Sequence, residues 1–255
     1  MDVSWEEFGW ERLGRGMGRR RLPVWDATAL LVAGTDGVLL CDTGSSLREG
    51  AELRMQAQSL LGRRVTHIAL SHPHFDHVLG TAAFAGARVY GAAGTAELLR
   101  RGADELYADA VRQGLPESDA AESADVLAVP RREVDGERTL DLGGGREVVL
   151  VNVGAAHSGH DLAVLVPGSC GSPALVFCGD LVEESGAPQA GPDAHPARWP
   201  GALDRLLALG GEDALYVPGH GAVVDAAFVR AQREALADRF GRSQGDRPAA
   251  GFGVS

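Results

Sequence analysis

The stretch His72-Pro73-His74-Phe75-Asp76-His77 packs three histidines and an aspartate into six positions of a 255-residue chain that has only eight histidines. It directly follows an apolar run, residues 65–70, that reads as a strand. A histidine in a protein core usually stands alone and is satisfied by one hydrogen bond. Four adjacent metal-capable side chains in a proline-containing loop carry a heavy desolvation cost unless a cation compensates it. The spacing suits that purpose. Alternate residues of an extended segment point the same way, so His72 and His74 can grip one ion. The chain then turns, and Asp76 with His77 offers donors to a second ion beside it.

Imidazole and carboxylate without thiolate form a donor set for Zn²⁺, with Mn²⁺ or Fe²⁺ as alternatives. Six residues do not close two sites, so further ligands must come from other strand ends. Three candidates fit. His157 follows the strand expected at 148–153, Asp180 follows that at 174–178, and His220 follows that at 214–217. Glycine flanks Asp180 and His220 directly and lies two residues beyond His157, and glycine lets backbone approach a crowded site.

Formal charge is 24 − 35 = −11, and all 24 cations are arginine. No domain-wide basic field exists to gather nucleic acid or anionic lipid. The three cysteines, Cys41, Cys170 and Cys178, are odd in number and lack C-x-x-C spacing, which argues against a disulfide framework. Cys41 and Cys178 lie in apolar runs and are expected to be buried. Residues 1–10 contain three acids and no apolar core of a signal peptide. No run approaches the ~18 apolar residues of a membrane span. A cytoplasmic protein without a membrane partner is expected.

The coarse pattern predicts an irregular segment at 1–24. Strands at 27–33 and 38–41 follow, joined by a Gly34-Thr35-Asp36-Gly37 hairpin. A helix at 49–61 precedes the strand at 65–70, and a helix start near 79–84 and a short strand at 88–90 come after it. A helical stretch at 95–113 leads into a polar, alanine-rich connection. Strands at 138–142, 148–153, 162–167 and 174–178 come next. The four-proline loop 186–200 is long enough to suggest function. A helix at 201–209, a strand at 214–217 and a helix at 224–240 close the chain. Two strand groups flanked by helices imply two packed sheets covered on the outside. We expect one domain over 1–242 and a flexible tail at 243–255. The run Arg19-Arg20-Arg21 is expected at a solvated edge, or as a positive rim. His67 is expected to be structural. His160 and His195 read as loop residues, and Glu183 and Glu184 have no assigned role.

His72-x-His74-x-Asp76-His77, followed by His157, Asp180 and His220, resembles the metallo-β-lactamase superfamily. Cys41-Asp42-Thr43-Gly44 is similar to its early Asp-Thr-Gly turn, and the stretches around 157–161, 199–209 and 218–221 resemble a branch of small bacterial hydrolases. The resemblance implies an α/β architecture, the four-layer αββα sandwich. It also implies that one ion takes His72, His74 and His157, that the other takes Asp76, His77 and His220, and that Asp180 bridges them. Asp42 would brace the metal loop from behind. Asp76 and Asp180 are the implied catalytic carboxylates. The implied activity is hydrolysis of a small-molecule ester, thioester, lactone or lactam, with a metal-bridging hydroxide attacking the carbonyl.

Several finer expectations follow from the resemblance. Asp180 stands where one β-lactamase subclass has cysteine, and another subclass with an Asp-His pair generally lacks the bridging aspartate. Antibiotic hydrolysis is therefore disfavoured. The glyoxalase II type carries an additional helical domain that the residues after His220 do not supply. Lactonases use a substrate-facing tyrosine, for which Tyr90, Tyr107 and Tyr216 are the candidates. Other classes are a mononuclear iron dioxygenase of persulfides on His72, His157 and Asp180, a nucleic-acid phosphodiesterase, and a silent metal scaffold. The net charge counts against nucleic acid as a partner, and a homodimer is left open.

Overall fold

The computed structural model describes residues 4–169 and 171–245. The expected hairpin forms as β3 (Thr28–Ala33) and β4 (Val38–Cys41), paired antiparallel. Both strands are apolar at nearly every position because both faces are covered. Leu30, Val32, Leu39 and Cys41 point into the layer between two sheets. Ala29, Leu31, Val38 and Leu40 point the other way, onto Leu53 and Ala57 of helix α1 (Leu47–Leu61). That helix starts where Ser46 Oγ accepts the Glu49 amide and stops at Gly62, whose φ of 65° suits glycine.

Around this hairpin a seven-stranded sheet is ordered β1 (Trp10–Gly14), β2 (Met17–Arg21), β3, β4, β5 (His67–Ala69), β6 (Arg88–Ala92), β7 (Arg132–Val134). It is antiparallel up to β4 and parallel beyond. The second sheet contains β8 (Glu137–Asp141), β9 (Glu147–Asn152), β10 (Leu162–Val166), β11 (Leu175–Glu183) and β12 (Leu215–His220) in the order β12-β11-β10-β9-β8. Only its β11–β12 pair is parallel. Leu150, Val164 and Phe177 meet the first sheet. Val151, Ala163 and Val176 turn outward onto Leu203, Leu206 and Val229, carried by α6 (Trp199–Gly210) and α7 (Ala226–Gly245). The first sheet's outer face is covered by α1, α3 (Thr95–Arg101), α4 (Ala103–Arg112) and α5 (Glu117–Asp125). A one-turn helix, α2 (Phe75–Val78), lies in the loop after β5. The layers run helix, sheet, sheet, helix, as the resemblance implied.

Several local expectations need correction. Residues 10–21 form the hairpin β1–β2 rather than an irregular segment. The arginine run is a solvated edge only at Arg21, and all three guanidinium groups have partners. Arg19 is buried between Glu11 and the Gly221 carbonyl, Arg20 reaches Gln56, and Arg21 pairs with Asp26. The alanine-rich connection contains α5, whose Ala120 and Ser123 are its buried positions. The stretch 95–113 is two helices that meet at Gly102. The helix start expected near 79–84 is a single 3₁₀ turn, Thr81–Ala83, after α2. The final helix continues to Gly245, past the expected end of the domain. Cys41 and Cys178 are buried and free; Cys170 and residues 246–255 lie outside the described residues. Among the described residues no helix is long and apolar enough to cross a membrane.

Candidate metal centre

All seven side chains singled out in the sequence meet at one end of the sandwich. His72, His74, Asp76 and His77 lie just past β5, on the loop and on α2, while His157 sits on the loop after β9. Asp180 is inside β11, not at the end of a strand as expected, because pairing resumes beyond a bulge and runs to Glu183. Gly179 supplies the bulge with a φ of 53°. His220 is the last residue of β12, and any Cβ at the preceding Gly219 would collide with the Asp180 carboxylate. Glycine is needed there because two strands carry ligands side by side.

The donor atoms form two groups, His72-His74-His157-Asp180 and Asp76-His77-His220, each within 4.8 Å. Asp180 lies between them. Its Oδ1 is 3.2 Å from His77 Nε2, and its Oδ2 is 3.2 Å from His220 Nε2, 3.5 Å from His157 Nε2 and 3.6 Å from His72 Nε2. Asp76 Oδ2 is 3.4 Å from both His77 Nε2 and His220 Nε2. His72 Nε2, His77 Nε2 and Asp180 Oδ1 are buried and have no hydrogen-bond partner. Buried polar atoms are rarely left this way, and these three belong to the two donor groups, where a cation would satisfy them.

The far side of each ring fixes which nitrogen is free. His77 Nδ1 lies 2.8 Å from Asp42 Oδ2 and His220 Nδ1 lies 2.7 Å from the Trp25 carbonyl. Both acceptors require an N–H, so Nε2 is the nitrogen left to face the cluster and becomes the donor once its proton is lost. Ser71 Oγ donates to Asp42 at 2.7 Å, so its oxygen accepts the His72 Nδ1–H at 2.9 Å. Asp42 therefore orients His77 directly and His72 through Ser71, and it also accepts the Ser71 amide at 2.8 Å. It does so from a φ of 58°, which Asp tolerates better than most residues. His74 is turned the other way: Nε2 faces Asp193 at 3.0 Å and Nδ1 faces the cluster.

Electrostatics divides the rings. Burial pushes His72 well below its ordinary pKa and His157 down to about 4, so both are neutral at pH 7. Burial also acts on His77 and His220, but nearby carboxylates overcome it. Asp76, Asp180 and Asp42 hold His77 well above the ordinary value, and Asp180 lifts His220 to about 9. Asp180 itself is buried, which raises its pKa, yet the charges of His77 and His220 carry it well below the usual carboxylate range.

Two positioning residues escaped the sequence reading. Asp161 accepts the amides of Ala156 and Ser158 and the Ser158 hydroxyl, shaping the loop that presents His157. Asp193, in the loop 186–200, holds His74. Asp193→Ala is expected to weaken zinc binding by about 10–100-fold while the fold is kept; a zinc titration followed by calorimetry checks it. His160 Nδ1 donates to the Ala93 carbonyl and His67 lies against Thr66 and Tyr90, both apart from the cluster. His195 ties its amide to the Ala156 carbonyl. None of the three tyrosines lines the cleft above the cluster: Tyr90 stacks on His67, Tyr107 bonds Glu117 and Tyr216 bonds the Gly211 carbonyl.

The sequence matches the family model of the metallo-beta-lactamase superfamily over residues 22–220. The fold is similar to that of a metallo-beta-lactamase from Pontibacter korlensis, with a TM-score of 0.71 and 20% identity over 90% of this chain and 98% of that one. The metallo-beta-lactamase FIM-1 from Pseudomonas aeruginosa, solved in a mono-zinc form, gives 0.66 and 19% over 90% and 95%. A metallo-beta-lactamase from Erythrobacter litoralis, with beta mercaptoethanol in its active site, gives 0.65 and 18% over 90% and 96%. The paired clusters of histidine and aspartate, the two mixed sheets and the match across most of the sequence lead to one conclusion: the chain belongs to the metallo-β-lactamase superfamily.

Proposed function

We propose that the protein is a dinuclear metal-dependent hydrolase, with zinc as the expected ion, acting on the carbonyl of a small ester, thioester, lactone or lactam. The observation that carries this reading is the pair of donor groups sharing Asp180, with buried lone pairs converging from both sides. His72, His74 and His157 would hold one ion, Asp76, His77 and His220 the other, and Asp180 both. Bound divalent ions supply a Lewis acid for the carbonyl and an acidified water at neutral pH. The protein's own groups do the remainder. Asp42, Ser71, the Trp25 carbonyl and Asp193 lock the rings in the tautomers that bind. Asp76 reaches the cleft and is held ionised: burial raises its pKa, but His77 lowers it more. Its carboxylate accepts the nucleophile's proton and returns it to the leaving group.

Metal content tests the reading: two ions per chain support it, whereas a single iron would favour dioxygen chemistry. Absence of turnover on chromogenic esters, thioesters, lactones and lactams by fully loaded protein would refute the hydrolase assignment. Loading should also be coupled to protons. In the metal-free protein His77 and His220 hold a proton that the unfolded chain gives up near its ordinary pKa of about 6.5. Their stabilising effect is full below that pH and is lost as pH rises through the folded values, about 9 for His220. Ligation needs those lone pairs, so filling the site at pH 7 is expected to release roughly two protons per chain. Calorimetric zinc titrations in buffers of different ionisation enthalpy count them. A count near zero would mean that these nitrogens are not the ligands.

A further inference from the structure

Above the cluster lies a cleft of about 670 Å³. Its walls differ from its floor in a way that bears on the substrate. One wall is apolar: Trp25 stands edge-on to Phe75 at 5.2 Å, and Leu98, Leu99 and Leu106 of α3 and α4 continue the surface. Leu98 is 40% exposed, one of the few large apolar side chains left open on the molecule. Four acidic side chains outside the proposed ligand set line the cleft: Glu105, Asp109, Asp193 and Glu183, the last raised by burial to about 7 and so only partly ionised at pH 7. Among the described residues the only arginine lining the cleft is Arg112, and its guanidinium is already held by Asp109 at 2.9 Å. No lysine exists in the chain to take its place.

The geometry points to a substrate with an apolar body and no anionic group away from the scissile bond. This rests on the hydrolase reading and narrows it. A carboxylate or phosphate on the far end of a substrate would leave water to face like charges in a cleft with no free cation to receive it. A neutral aliphatic or aryl group would instead displace water from Trp25, Phe75 and Leu98. A positively charged group on the same body would meet no repulsion. Ring-fused lactams that carry a carboxylate, and oligonucleotides, fall on the disfavoured side.

The test uses zinc-loaded protein and three thiols that share one anchor and one body. They are benzyl mercaptan, its 4-aminomethyl derivative and 4-(mercaptomethyl)benzoate, with affinity read by calorimetry. The two that lack the carboxylate are expected to bind at least about tenfold more tightly than the benzoate. In Asp109→Asn, a half-buried helical position outside the ligand set, Arg112 loses its partner and the benzoate should regain several-fold. Benzoate binding equal to or tighter than that of benzyl mercaptan would overturn the inference, as would an unchanged ratio in the variant. If none of the three binds to protein shown to hold two zinc ions, the inference fails through its anchor. If the protein holds no zinc at all, the reading beneath it fails first, and the metal assay tells the two failures apart.

Discussion

Asp180→Asn is expected to cut turnover by roughly two to three orders of magnitude and lower the metal content from two ions to about one, with the fold retained. One carboxylate oxygen faces His77 and the other faces His220, His157 and His72, all at 3.2–3.6 Å, so this side chain alone touches both donor groups. Asparagine keeps the volume that Gly219 makes room for, which leaves the strand pair undisturbed. It replaces one acceptor by an NH₂ that points hydrogens where a cation should sit, and it removes the negative charge that faces four imidazoles. Elemental analysis with circular dichroism separates loss of metal from loss of fold. Near-normal activity in a folded variant would show that Asp180 does not bridge.

A comparable effect on stability is expected from Asp42→Ala. The substitution leaves the Ser71 amide, the Ser71 hydroxyl and the His77 Nδ1–H buried without an acceptor, at about 1–3 kcal/mol for each group that water does not reach. It also puts alanine at a φ of 58°, a further cost of roughly 1 kcal/mol. A total loss of about 4 kcal/mol in urea unfolding of the metal-free protein is expected. Zinc affinity should fall with it, because His77 is no longer held in the binding tautomer and His72 loses its relay through Ser71. Asp42→Asn tolerates the backbone conformation, so it should recover part of the stability and less of the affinity. If the alanine variant lies within about 1 kcal/mol of wild type, another acceptor has taken over and the assigned network is wrong.

The seven candidate ligands were legible in two ways: His72 to His77 is unusually concentrated in imidazole, and His157, Asp180 and His220 each follow an apolar run with glycine close by. The β3–β4 hairpin was legible for a different reason, since Gly34 and Gly37 bracket two apolar runs. Helix α1 shows in the spacing of Leu53, Ala57 and Leu60, although it starts at Leu47, two residues before the expected start, on the Ser46 cap. The β1–β2 hairpin escaped because Arg19 to Arg21 look like surface, whereas Arg19 is buried by partners 8 and 202 positions away. Helix α5 escaped because it buries only alanine and serine on its inner side. Asp161 and Asp193 are single acids in loops. Their meaning comes from where the loops travel, and that is decided by contacts such as the His195 amide on the Ala156 carbonyl. The same limit held for Asp180: the apolar run was visible, but the bulge at Gly179 that continues the strand past it was not.

His72, His74, Asp76 and His77 follow a strand of the first sheet, whereas His157, Asp180 and His220 belong to the second. Whatever fills the cluster therefore clasps the two leaves of the sandwich along one edge, and the folded form gains RT ln(1 + [M]/Kd) that the unfolded form does not share. The lifetime of the intact protein becomes tied to the supply of free metal around it.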